Sequence, residues 1–449
     1  MDISIGVEKF GKIEKAEITL GKLVLFVGEN NSGKTYMMQL LYGVIPKIIN
    51  YSKILMAQYE KGTVKYTVTP EKILLWEKEI NEYLDKEKKT IIRDIFYRDI
   101  PIGSIYMKLV NVNVSYEVEF PKRELLHDIP SNSEITKDNF YNILIKETAN
   151  GIEKNKRTLG VGTEIGLEFA ADLIGKMIAA DMLGMNSVGS ALFFPASRTG
   201  MLQLYKYFFA EKDNNIYVMD EREKEYAGKN QLGLSAPVYN FLQFLLKYTP
   251  DHLITKKDQN ILDFIESHLI DGKLQFNNAE TYYIPQNSED RIPLYLSSSL
   301  INELVPVVKM LSNIYLYDNI YYDEIETCLH PLKQKAMARL IMRLVNSGRR
   351  LIVSTHSDSM AINMNNLLTF TLGNMSAEAK NKKMSELDLE EDDIPKTKDI
   401  YVYEFTNSDH GTSNVRELAF RTVDNLGYDF ELFSKNLQNL SDDTIKLME

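Results

Sequence analysis

Residues 28–35 read GENNSGKT, and this stretch limits the fold more than any other. It fits G-x-x-x-x-G-K-[ST] at Gly28, Gly33, Lys34 and Thr35. Before it runs KLVLFVG, a continuous apolar strand pattern; after it, TYMMQLLYGVI keeps its apolar residues at helical spacing. Strand, glycine loop and helix, in that order, is the context in which such a loop cradles phosphate. The glycines allow a tight turn, so that the backbone of Glu29, Asn30, Asn31 and Ser32 can point N–H groups at phosphate oxygens. The helix start adds its positive end. Lys34 is then expected against the β- and γ-phosphates of ATP, and Thr35 on Mg²⁺. A glycine turn of chance composition would account for the residues but not for the flanks.

A phosphate cradle needs a carboxylate site beside it. IYYDE (320–324) places Asp323 and Glu324 at the end of an apolar strand. In a parallel sheet such strand ends open on the same edge as the phosphate loop. Asp323 is expected to hold Mg²⁺ through water, and Glu324 to orient or deprotonate the attacking water. Alone, the pair could simply open a solvated loop. LIVSTHSD places His356 just past another β-branched strand, where a histidine can bond a γ-phosphate; a packing or surface histidine is the plainer alternative. The catalytic candidates are therefore Lys34, Glu324 and His356, with Thr35 and Asp323 for the metal. The chemistry reads as Mg²⁺-dependent binding and hydrolysis of ATP.

The 449 residues suffice for several domain-sized units. ISIGVEKF, KIEKAEITL and KLVLFVG read as three opening strands, and PEKILLWEKEINEYLDKEKKTIIRDIFYRD as a long charged helix. IYMKLVNVNVSYEVEF reads as one or two strands, TEIGLEFAADLIGKMIAADMLG as a helix, ALFFPASRTG as a buried strand ending in a loop, and VYNFLQFLLKY as a helix. From residue 297 the order helix, strand, helix, strand implies a parallel sheet. SELDLEEDDIPK reads as a linker or exposed loop, IYVYEF…TSNVREL as a hairpin, and the end as a short helix. We expect an α/β head split in sequence: an N-terminal lobe (1–50), a mixed α+β insertion (51–190), a middle segment returning to the head (191–290) and a C-terminal lobe (291–449).

A formal charge of −11 disfavours polyanion binding by the whole surface. Two basic stretches, EKNKRTLG (153–160) and NSGRR (346–350), could meet phosphates locally, although solvated loop charges explain them as well. Cys328 is the single cysteine, which excludes a disulfide framework or cysteine-built zinc site within one chain and fits a reducing compartment. The start lacks a secretory pattern, and no apolar run reaches about 18 residues; the expectation is a cytoplasmic protein.

Taken in order, GENNSGKT, SSSLINEL, YYDEIETCLHP and STHSD resemble the ABC-type P-loop ATPase head shared by SMC, RecF-like and OLD-family proteins. The DE followed by LHP is similar to the Walker B segment of AAA ATPases grouped near the OLD nucleases; FFPASRTG and LSAPVYNFL also look like segments of these bacterial ATPases. The resemblance implies two heads sandwiching two ATPs, each nucleotide meeting one chain's phosphate loop and the other's signature helix. The signature counterpart is SSSLINEL, with Ser298 or Ser299 on the opposite γ-phosphate. Ser299 and Leu300 stand where this family commonly has glycines, which implies slow hydrolysis. The bland reading, a serine N-cap, holds in either case. The loop after Glu324 would put Cys328 and His330 at the dimer interface, and Ser197 or Arg198 would stand in for the family's missing glutamine; a structural ion-pair partner is an equal reading of Arg198.

No D-x-D of a Toprim nuclease follows His356, His410 lacks HNH partners, and no sustained heptad repeat separates Thr35 from Ser297. The resemblance therefore implies a sensor or scaffold, like the ATPase subunits of PARIS- or Septu-like anti-phage systems. It would oligomerise through its heads and control a separate effector such as a Toprim or HNH nuclease, without membrane contact. The alternative is a RecF-like, DNA-binding repair ATPase.

Overall fold

Apolar and polar residues alternate through the opening of the chain, and the computed structural model resolves them into β1 (Asp2–Phe10) and β2 (Ile13–Thr19), followed by the wholly apolar β3 (Leu23–Gly28). The structure describes residues 1–55, 65–119, 140–150, 152–162, 167–185, 191–215, 233–250, 254–277, 280–422, 427–431, 442 and 446. After β3 come α1 (Lys34–Asn50), β4 (Lys65–Val68), α2 (Pro70–Phe96), β5 (Ser104–Val110), β6 (Val114–Glu119), β7 (Phe140–Ala149), β8 (Ile152–Gly162) and α3 (Leu167–Met182). The chain continues through β9 (Ala191–Phe194), α4 (Arg198–Asn215), α5 (Ala236–Leu246), α6 (Lys256–Phe264), β10 (Gly272–Phe276), β11 (Thr281–Pro285) and β12 (Ile292–Pro293). Then follow α7 (Ser299–Leu311), β13 (Asn319–Tyr322), α8 (Pro331–Asn346), β14 (Arg350–Thr355), α9 (Asp358–Leu372), α10 (Ala377–Glu386), β15 (Ile400–Asn407) and β16 (Ser413–Glu417).

One nine-stranded sheet organises the molecule, in the order β5-β1-β2-β16-β15-β3-β14-β13-β9. From β15 to β9 every neighbouring pair is parallel, whereas β1 runs antiparallel to both β2 and β5, and β16 to β15. The parallel strands feed two cores, one on each face, because successive side chains point to opposite sides. Val24, Phe26, Tyr321, Ile352 and Phe405 enter one core with α1, α2 and α3. Leu23, Leu25, Val27, Tyr322, Leu351 and Val353 enter the other with α5, α7, α8 and α9. Burial on both faces is why these strands read as unbroken apolar runs.

The parallel rhythm, the opening strands and the hairpin agree with expectation. The long charged helix also exists, and its stripe of Ile73, Trp76, Ile80 and Leu84 is buried. Within the stretch expected as an insertion, IYMKLVNVNVSYEVEF splits between sheets: β5 borders β1 in the large sheet, and β6 joins β4, β7 and β8 in a separate one. SELDLEEDDIPK is not a plain linker. Its Asp393 is buried and receives Arg339 Nε at 2.8 Å and Arg343 Nε at 2.7 Å, pinning the segment to α8. The expected C-terminal helix lies almost entirely outside the described residues. No helix among the described residues is long and apolar enough to cross a membrane.

Candidate active site

The parallel strands β3, β9, β13, β14 and β15 all end on one sheet edge, so the residues that follow them meet there. Gly28 ends β3 with φ +133°, and a Cβ on it would lie 2.0 Å from the Phe405 carbonyl oxygen of β15. Only glycine fits, since it alone accepts that φ and that approach. Gly33 (φ +96°) turns the chain into α1, whose first-turn amides have no intrahelical partner. The loop is braced from inside and outside. Ser32 Oγ donates to the Glu29 carbonyl at 2.7 Å, while Glu29 Oε2 accepts the Asn407 N–H at 2.7 Å. Asn407 Nδ2 donates to the Asn30 carbonyl at 3.1 Å, and Lys12 Nζ to Asn407 Oδ1 at 2.8 Å. Glu29 is therefore occupied in holding the loop to β15.

Lys34 is buried and donates to the carbonyls of Gly28 (2.8 Å) and Glu29 (2.6 Å). Burial lowers its pKa, and the carboxylates of Asp323, Glu326, Glu324 and Glu29 act the other way. Thr35 Oγ1 donates to Asp323 Oδ2 at 2.8 Å, and Ser354 Oγ, from β14, donates to Asp323 Oδ1 at 2.6 Å. Burial pushes the Asp323 carboxyl up, against the pull of these two hydroxyls. Glu324 follows in the left-handed region (φ 47°), and its N–H is received by Ser354 Oγ at 2.8 Å. Such a backbone is uncommon for glutamate and is held here by its neighbours. Asn30, Asn31, Ser32, Gly33, Lys34, Thr35, Glu324 and His356 line one cleft of about 840 Å³, together with Lys12 and Tyr36.

Sequence reasoning missed Glu326. It is buried, its Oε1 accepts the His356 N–H at 2.8 Å, and that oxygen lies 3.1 Å from His356 Nδ1. His356 is thereby held facing Glu324, 3.8 Å from Nδ1 to Oε1. Its only signal was a second carboxylate two places after Glu324, with no periodicity to mark it.

Arg198 belongs to the frame of the site. It has no exposed surface, donates from Nη1 to the carbonyls of Pro195 (2.9 Å) and Asp323 (2.7 Å), and from Nη2 to that of Glu324 (2.9 Å). It also forms a buried ion pair with Glu303 of α7, whose other oxygen accepts the Thr199 hydroxyl at 2.8 Å. A guanidinium so engaged cannot replace a metal-touching glutamine, and Ser197 is exposed outside the cleft lining. Ser298 and Ser299 are likewise exposed and outside that lining; Ser298 Oγ caps α7 by accepting the Ile301 N–H. Cys328 is exposed, and His330 caps α8 through its ring, receiving the Leu332 N–H at 3.3 Å. NSGRR does not present cations to a polyanion. Arg349 is buried on Asp258 at 2.6 Å and Arg350 is buried beside Tyr321, whereas Lys154 and Lys156 of the other basic stretch are exposed.

Residues 222–361 match the family model of an AAA ATPase domain. This is an ATPase. The matched span holds α7, the Asp323–Glu324 turn and His356, and the phosphate loop lies outside it. A comparison with curated protein sequences gives no match. Among solved structures, an Smc head bound to the C-terminal winged-helix domain of ScpA is 12% identical, with 94% of this chain and 97% of that one covered and a TM-score of 0.36. The SMC head domain of Thermotoga maritima is 10% identical, with 93% and 100% covered and a TM-score of 0.34. Superpositions that loose carry no conclusion about this ATPase.

Thr35 and Asp323 fit a magnesium ion. A hydroxyl and a buried carboxylate adjoin there, and Mg²⁺ commonly takes one or two protein oxygens with water and phosphate oxygens supplying the rest.

Proposed function

We propose that this ATPase binds Mg·ATP in the cleft at Lys34 and hydrolyses it slowly between two copies of the chain. Lys34 meets the β- and γ-phosphates, and the first-turn amides of α1 receive phosphate oxygens. Thr35 and Asp323 would hold Mg²⁺, which when bound would supply positive charge beside the phosphates. Glu324 orients or deprotonates the attacking water. His356, steadied by Glu326, bonds the γ-phosphate side of the cleft. The observation that carries the two-copy reading is the placement of Ser298 and Ser299, exposed at the start of α7 and apart from the cleft of their own chain. A helix start is suited to an anion, and a second copy would bring one.

The role we infer is that of a sensor or scaffold whose ATP-closed form holds or releases a separate effector in anti-phage defence. This rests on the family resemblance of the four motifs. Among the described side chains of its two basic stretches, the RecF-like alternative has Lys154 and Lys156 as exposed cations; duplex affinity falling steeply with salt would favour it. Glu324→Gln should bind ATP without turning it over, so light scattering after gel filtration should give a dimer with Mg·ATP and a monomer without it. A monomer in both states contradicts the two-copy reading.

A further inference from the structure

A second cleft, of about 470 Å³, opens between α4, the start of β11, the turn at 293–295 and the later part of α7. It shares no lining residue with the cleft at Lys34, and its size suits a small organic molecule. Lys309 of α7 lines it and is only 6% exposed. Its Nζ lies 3.9 Å from the centroid of the Tyr248 ring and 4.7 Å from that of Phe276. Among the described residues it has no hydrogen-bond acceptor and no carboxylate partner. Burial, with Lys206 as a second cation nearby, pushes Lys309 down to about 8.

Ring faces offset part of the cost of desolvating an ammonium, but less than an uncompensated buried charge requires. The missing contribution is an anion. Lys206 lines the same cleft, with Leu294, Tyr205 and Tyr295 giving it an apolar wall. The carboxylate in the lining, Glu280, is exposed and accepts the Tyr282 hydroxyl. We propose that this cleft binds a small organic carboxylate with an aryl body, its anionic end on Lys309 and its ring against Tyr205, Leu294 and Tyr295. The occupant would join α4, which begins at Arg198, to the turn before Ser298. That turn is already fastened to α7, since Asn302 Nδ2 donates to the carbonyls of Leu294 (3.2 Å) and Ser298 (3.1 Å).

The test needs neither dimer nor ATP turnover. The full chain is titrated with 4-fluorophenylacetate, and separately with the neutral 4-fluorophenylacetamide, followed by ¹⁹F NMR. Wild type should bind the acid about tenfold more tightly than the amide, as a charge-assisted hydrogen bond to a buried cation requires. Lys309→Met should remove that preference while leaving the amide's affinity unchanged. Tyr295→Ala, at an exposed position, should weaken both ligands. Equal affinity of wild type for acid and amide, no binding of the acid, or a Lys309→Met chain that still prefers the acid would each overturn the proposal. If Lys309→Met does not fold, the comparison of acid with amide on wild type decides.

Discussion

Arg198 and Glu303 meet without exposed surface, and through them the backbone of Asp323 and Glu324 is tied to α7. Removing one member strands the other's charge in the core, at a cost of about 3–5 kcal/mol. Glu303→Ala should therefore lower the thermal midpoint sharply, and Glu303→Gln, which keeps an oxygen for Thr199, less so; calorimetry checks both. At this scale the sequence was readable only where function is local. GENNSGKT carries its own glycines, lysine and hydroxyl within eight positions, and the left-handed φ of Gly33 together with the close approach at Gly28 agrees with that reading. The duty of Arg198 depends on carbonyls 125 and 126 positions away, which no spacing within FFPASRTG announces. Glu326 was hidden similarly, since only the turn after β13 and the end of β14 bring it to His356.

Among the elements, the acidic stretch before β15 shows how composition can mislead. SELDLEEDDIPK has the charge of a solvated loop, yet Asp393 is buried between Arg339 and Arg343 of α8. Burial alone would raise its pKa, but the bonds from Arg339, the Glu390 backbone and Arg343 outweigh it, and the value falls below the ordinary carboxylate range. A depressed carboxylate adds stability that is complete above its unfolded pKa and lost as pH falls through the folded one. The stability difference between wild type and Asp393→Asn should thus be constant near neutrality and shrink below about pH 4; urea titrations across pH measure it. A difference that grew on acidification would contradict the pairing. The parallel block was legible because strands buried on both faces read as continuous apolar runs, while its helices, buried on one face, repeat apolar residues every third to fourth position. The partner of β5 was not, because an edge strand alternates in the same way in either sheet.

For the whole molecule, five parallel strand ends on one edge gather a phosphate loop, a hydroxyl-carboxylate pair, a glutamate and a histidine, while α7 shows its serines elsewhere on the surface. We propose that a second copy of the chain closes this separation. Mixing two disabled chains, Lys34→Ala and Ser298→Arg, tests it most directly. Each alone should lack ATPase activity. In a symmetric dimer, half the mixed assemblies pair unlike chains, and each of these keeps one intact site of two, so activity should return to about a quarter of wild type. Full activity of Ser298→Arg alone, or no recovery from the mixture although the two chains associate, would contradict it.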